Sequence, residues 1–148
     1  MTIGTSDNLQ AWTAPVYYIY IDNYFYFFSK KSSRHIRESQ KNANASASIH
    51  ANPQEWQDIK GIQMEGAISE TDSKGGQDLA AFKQYVTRFP FVKELANIPF
   101  PSWSLDYFSD QLKVRWYKFV PEKIVYLDNS INFGFKIQLQ ADLSPAKT

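Results

Sequence analysis

A chain of 148 residues with 43% hydrophobic and 21% charged residues has the composition of an ordinary globular domain. Its net charge of +1 supplies no field to recruit nucleic acid or an anionic membrane. The lack of cysteine excludes disulfides, thiolate nucleophiles and cysteine-ligated metals, and it fits a reducing, cytoplasmic setting.

Met1 to Ser6 reads as a short strand and Asp7-Asn8 as its turn. In Leu9 to Ile21, Trp12, Ala14, Val16, Tyr18 and Tyr20 fall on one face. Thr13, Pro15, Tyr17, Ile19 and Ile21 fall on the other, which predicts a strand covered on both sides. Pro15 cannot donate to a ladder and marks an edge, a bulge or a pocket. With Asp22-Asn23 as the turn, Leu9 to Ser29 is expected to form a hairpin of two long strands. Its second strand carries the aromatic run Tyr24-Phe25-Tyr26-Phe27-Phe28.

Ser32 or Ser33 can cap a helix over Arg34 to Lys41. Ala45 to Ala51 and Ile59 to Ile68 read as strands, with Gly61 and Gly66 marking a bulge or a close backbone approach. Thr71 to Gln77 is a polar loop. The period then changes: Leu79, Phe82, Val86 and Phe89 make the buried stripe of a helical excursion over 78–98, broken at Pro90. Trp103 to Asp110 carries no clear pattern. Strands are predicted again at Leu112 to Val120, Lys123 to Leu127 and Ile131 to Leu139, with Asp128-Asn129 as a turn and Gly134 as a bulge. Several strands around one short helix and one helical excursion predict an α+β fold with a β-barrel core.

No apolar run reaches the roughly 20 residues that span a bilayer, and the N-terminus lacks the pattern of a signal peptide. There is no Gly-x-Ser-x-Gly and no phosphate-cradling Gly-x-x-x-x-Gly-Lys. His35 and His50, 15 positions apart, match no metal-ligand spacing, so no metal is expected. What remains is the junction from Ser29 to His35. A helix N-terminus offers unpaired N–H groups and partial positive charge. Ser29, Ser33, Arg34 and His35, with Lys30 and Lys31 beside them, would turn it into a phosphate site walled by aromatic residues.

Several blocks occur in order over most of the chain: Thr13-Ala14-Pro15-Val16-Tyr17-Tyr18, Tyr26 to Ser29 with Ser33-Arg34-His35, and Asn42. After them come Ile59 to Gly66, Tyr85 with Arg88-Phe89-Pro90, and Asp128-Asn129 with Phe133-Gly134-Phe135-Lys136. Together they resemble the pyridoxamine 5'-phosphate oxidase-like family of FMN-binding split β-barrels, in particular a bacterial branch of small proteins. The resemblance implies one domain over 1–148, an antiparallel, Greek-key-like split barrel with FMN at a homodimer interface. It places Thr13, Pro15 and Val16 along the flavin, and Phe28, Ser29 and Lys30 at the strand end by the ribityl phosphate. Arg34 and His35 stand where the oxidases have an Arg-Lys phosphate clamp, and Gly61 or Gln63 approaches from the next strand. Family members also have a helix ahead of the point where this chain starts.

The departures from the family are specific. Thr13 replaces an arginine, Tyr18 a substrate-contacting lysine and His35 the clamp lysine, and the C-terminal basic-aromatic motif is replaced by Asp128-Asn129 and Phe133 to Lys136. The expected function is therefore a flavin-dependent oxidoreductase acting on a small molecule other than pyridoxamine phosphate. The alternatives are a haem- or deazaflavin-binding barrel and a non-catalytic or stress-response module that holds a planar ligand.

Overall fold

The computed structural model describes residues 1–7, 10–71, 76–96 and 104–139. In chain order the strands are β1 (Thr2–Asp7), β2 (Gln10–Pro15), β3 (Ile19–Ile21), β4 (Tyr24–Ser29), β5 (Asn44–His50), β6 (Lys60–Glu70), β7 (Arg115–Asp128) and β8 (Lys136–Leu139). The helices are α1 (Arg34–Lys41), α2 (Gly76–Arg88), α3 (Phe91–Ala96) and α4 (Leu105–Leu112), with a single 3₁₀ turn at Trp56–Asp58. The sheet runs β2-β1-β5-β6-β7-β4-β3, every pairing antiparallel, and β8 is added to β7. This is an α+β split barrel.

The aromatic run of β4 is buried on both faces, as its composition predicts. Phe25 and Phe27 point into the barrel with Ile3, Ile36, Met64 and Phe119. Tyr26 and Phe28 point the other way, into a layer built with Phe82, Tyr85, Phe108 and Trp116 from α2, α4 and β7. One strand therefore joins the two cores, and α1 seals the barrel with Ile36, which is fully buried.

Leu9 to Ser29 does not form a single hairpin. Gln10–Pro15 pairs with β1 (Thr13 opposite Gly4), whereas only Ile19–Ile21 pairs with β4. Pro15 ends the first piece, because its missing N–H cannot carry the ladder further. Beyond it the Val16 N–H donates to the Met1 carbonyl at 2.9 Å. Asp22 and Asn23, at φ 49° and 66°, form the turn of the shorter hairpin. The barrel is thus split between β2, which has a strand on one side only, and the Phe27–Ser29 end of β4, which β3 does not reach.

Further differences have equally local causes. The segment predicted as two strands across Pro121 is one strand, β7. A bulge at Glu65/Gly66 leaves Glu122 without an opposite residue and absorbs the proline. A Cβ on Gly66 would run into the Val120 carbonyl, so only glycine fits this crossing. Leu112 ends α4 rather than starting a strand. That helix is capped by Ser104 Oγ, which accepts from Tyr107 N–H at 3.1 Å, and it closes on Lys113 at φ 55°. Leu79 lies outside the buried stripe of α2, which is Ala81, Phe82, Tyr85 and Val86.

Ile131 to Leu139 is extended only from Lys136, and Gly134, at φ 75°, belongs to a loop rather than a bulge. Asp128 ties that loop down. It accepts hydrogen bonds from the Ser130 hydroxyl and N–H and from the Tyr126 hydroxyl, and it pairs with Lys60 at 3.2 Å. The Ser130 and then the Tyr126 hydroxyl hold its carboxyl well below the usual carboxylate range. A depressed pKa contributes stability that is present above the unfolded value near pH 4 and lost as pH falls through the folded one. The thermal midpoint should therefore fall as pH drops below about 4, the unfolded carboxylate value, and less steeply in Asp128→Asn. Equal slopes would show that this carboxylate is not responsible.

Candidate functional site

The junction forms where β4 runs out and α1 begins. Ser33 is the N-cap of α1 by position, yet its side chain makes no capping bond. Its Oγ instead accepts from Ser29 Oγ at 3.2 Å, and Ser29 Oγ lies 2.9 Å from His35 Nε2. Ser29 Oγ thus bridges Ser33 and His35, and each hydroxyl can donate or accept according to the tautomer of the ring. His35 is buried, and desolvation lowers its pKa against a smaller opposing effect of Glu38, so the ring is neutral at pH 7.

Arg34 is placed by contacts the sequence reading missed. Its Nε donates to Glu38 Oε1 at 2.6 Å, and its guanidinium lies over the Trp12 ring at 4.6 Å. Glu38 is buried on the barrel side of α1 and takes a second bond, from Thr5 Oγ1 at 2.6 Å. The Thr5 hydroxyl and then Arg34 lower its pKa, so it is a carboxylate. The i,i+4 spacing of Arg34 and Glu38 was the available signal; the contribution of β1 and β2 became visible only with the register. Lys30 is exposed, and Lys31 pairs with Glu70 at 3.3 Å. Phe28 turns its ring into the helix layer, 4.3 Å from Trp116, and so offers the junction only its backbone.

The other expected site residues lie elsewhere. Thr13, Pro15, Gly61 and Gln63 share the outer face of the sheet. Pro15, Thr2, Ser48 and Gln63 form one row across four strands, and Thr13, Gly4, Ser46 and Glu65 the next. Along β6, Gln63 stands seven residues from the Glu70 end near Ser29, about 23 Å at the usual strand rise. Thr13 adjoins Trp12, on which Arg34 stacks, whereas Gln63 lies further along β6.

Two cavities flank these groups. The first, about 550 Å³, lies over Gly4, Thr13 and Ser46 with Glu65 and Glu122 at its edge, a lining unsuited to a phosphate. The second, about 540 Å³, is walled by Tyr18, Tyr20, Phe25, Ile62 and Ile124, with His50 on its rim. Among the described residues no cluster of three or more metal-ligating side chains occurs, and no helix is long and apolar enough to cross a membrane.

A split barrel with hydroxyls and cations at the β4–α1 junction has the fold of the pyridoxamine 5'-phosphate oxidase-like proteins. No family model matches the chain. It is 24% identical over 135 residues to a UPF0306 protein of Klebsiella pneumoniae, covering 90% of this chain and 79% of that one. Its structure superposes on a haem-binding protein from Mycobacterium smegmatis with a TM-score of 0.70 at 13% identity, over 96% of this chain and 52% of that one. It also superposes on a pyridoxamine 5'-phosphate oxidase-related, FMN-binding protein from Nostoc punctiforme, with a TM-score of 0.59 at 13% identity, over 93% and 78% of the two chains.

Proposed function

We propose that this protein is a cytoplasmic, homodimeric flavoprotein that binds FMN non-covalently and carries out flavin redox chemistry on a small molecule. The observation that carries the reading is the meeting of the Ser33 hydroxyl and the Ser29–His35 pair at the uncapped start of α1, whose first residue is Arg34. This donor set fits a phosphate ester, and the adjoining split offers β2, a strand paired on one side only, to a flat ring system. FMN would supply hydride or electron transfer when bound. The protein's part is to fix the phosphate, provide apolar walls and exclude water.

The homodimer is part of the same proposal: Gly61 and Gln63 lie along β6 from its Glu70 end, and a second copy would bring its outer face to the junction. Such an interface buries more than about 1,000 Å². Sedimentation should give a dimer at micromolar concentration, and titration with FMN should give a yellow complex with one flavin per chain. A monomer that leaves FMN free at that concentration would sink both parts of the reading.

One observation favours a second reading. The aromatic cavity with His50 on its rim suits an apolar planar ligand such as haem, which a protein of the same fold binds. A Soret band on haem addition, lost in His50→Ala, would select it over the flavin.

A further inference from the structure

We propose that Glu38 is a positioning residue for the phosphate clamp: with Trp12 and Thr5 it holds Arg34 so that only the Nη edge of the guanidinium faces a ligand. The inference rests on the flavin reading above and names the device behind its anion grip. Two restraints act on Arg34 at once. The carboxylate takes the Nε–H at 2.6 Å, and the indole of Trp12 fixes the plane from 4.6 Å. Among the described residues nothing bonds the two Nη nitrogens, and the side chain is 36% exposed. Glu38 is itself fixed, because Thr5 Oγ1 holds its other oxygen at 2.6 Å and its side chain is only 4% exposed.

A buried carboxylate in the second turn of α1 adds no apolar area to the core; the barrel is sealed there by Ile36. Its effect is to remove one rotatable choice from a long cation. A guanidinium already oriented loses less freedom when it grips a phosphate with two parallel N–H bonds. Trp12 contributes in the same way from an edge strand, where an exposed indole has no packing reason to be.

The test compares FMN with riboflavin, which differs only in lacking the phosphate. Glu38→Ala should raise the FMN dissociation constant about tenfold, the scale of one charge-assisted contact, and leave riboflavin binding within about twofold. Glu38→Gln, which keeps an oxygen to accept from Nε–H, should recover most of the loss. Equal losses for both flavins would make Glu38 merely structural. Unchanged or tighter FMN binding would show that Glu38 competes with the phosphate for Arg34, and either result overturns the proposal. If Glu38→Ala does not fold, Trp12→Leu tests the other restraint from the surface: an FMN-only loss supports the clamp, and equal binding overturns it. A parent protein that takes up no FMN ends the flavin reading and this role with it, whereas failure of the Glu38 and Trp12 variants alone leaves the flavin reading standing.

Discussion

Replacing Phe82 with alanine is expected to lower the free energy of unfolding by about 3–5 kcal/mol. Phe82 is buried on α2, with its ring centroid 5.7 Å from Phe108 and 6.2 Å from Phe28. It therefore touches α4 and the sheet at once, and neither can close on the space an alanine would leave without the other moving. The edge-to-face contact with Phe28 and the tilted one with Phe108 would be lost along with the buried area. The measurement is the denaturant midpoint at constant slope. Leu79, on the same helix but 42% exposed, is the control and should cost no more than about 1 kcal/mol as alanine. An unchanged midpoint for Phe82→Ala would mean that the helix layer adds nothing to the cooperative unit.

The second large effect is on binding. Loss of the Arg34 guanidinium should weaken FMN binding by about 1.5–3 kcal/mol, a tenfold to hundredfold rise in dissociation constant. An exposed arginine at a helix start would be a neutral site for this substitution, but here Arg34→Ala also leaves Glu38 without its cation. The informative variant is therefore Arg34→Ala combined with Glu38→Gln, in which no bare carboxylate is buried. It should match the parent in riboflavin binding and thermal midpoint, yet lose FMN on dialysis. Lys123, paired with Glu65 on the open side of the sheet, is the control cation. FMN titrating as tightly in the double variant as in the parent would remove Arg34 from the site.

Most of this architecture is readable from short-range pattern. The aromatic run of β4 shows its two-sided burial, Arg34 to Lys41 is the helix its residues predict, and Pro90 divides the excursion between α2 and α3. Failures occur where a long-range partner decides. Gln10–Pro15 has strand composition, but nothing local says that it pairs back to Thr2–Asp7 instead of forward to Tyr24–Ser29. Pro121 looks like a break until the bulge opposite it is known. Leu105–Leu112 hides its period among Asp106, Tyr107 and Asp110, and its cap, Ser104, is one serine among many. At the junction the donors Ser29, Ser33, Arg34 and His35 are adjacent in sequence and hence legible. Trp12, which orients Arg34 directly, and Thr5, which does so through Glu38, come from strands more than twenty positions before Arg34.

The placement of β7 governs the order in which the molecule can be assembled. It bonds β6 along one edge and both β4 and β8 along the other, so no earlier segment can close the sheet in its stead. On a ribosome, β4 emerges 86 residues ahead of Arg115 and must wait for it on the order of ten seconds at ordinary elongation rates. During that interval the edge of β4 at Phe25 and Phe27 that β7 will cover stays unpaired. An unpaired apolar edge of this kind is a template for wrong pairing until Arg115–Asp128 is made.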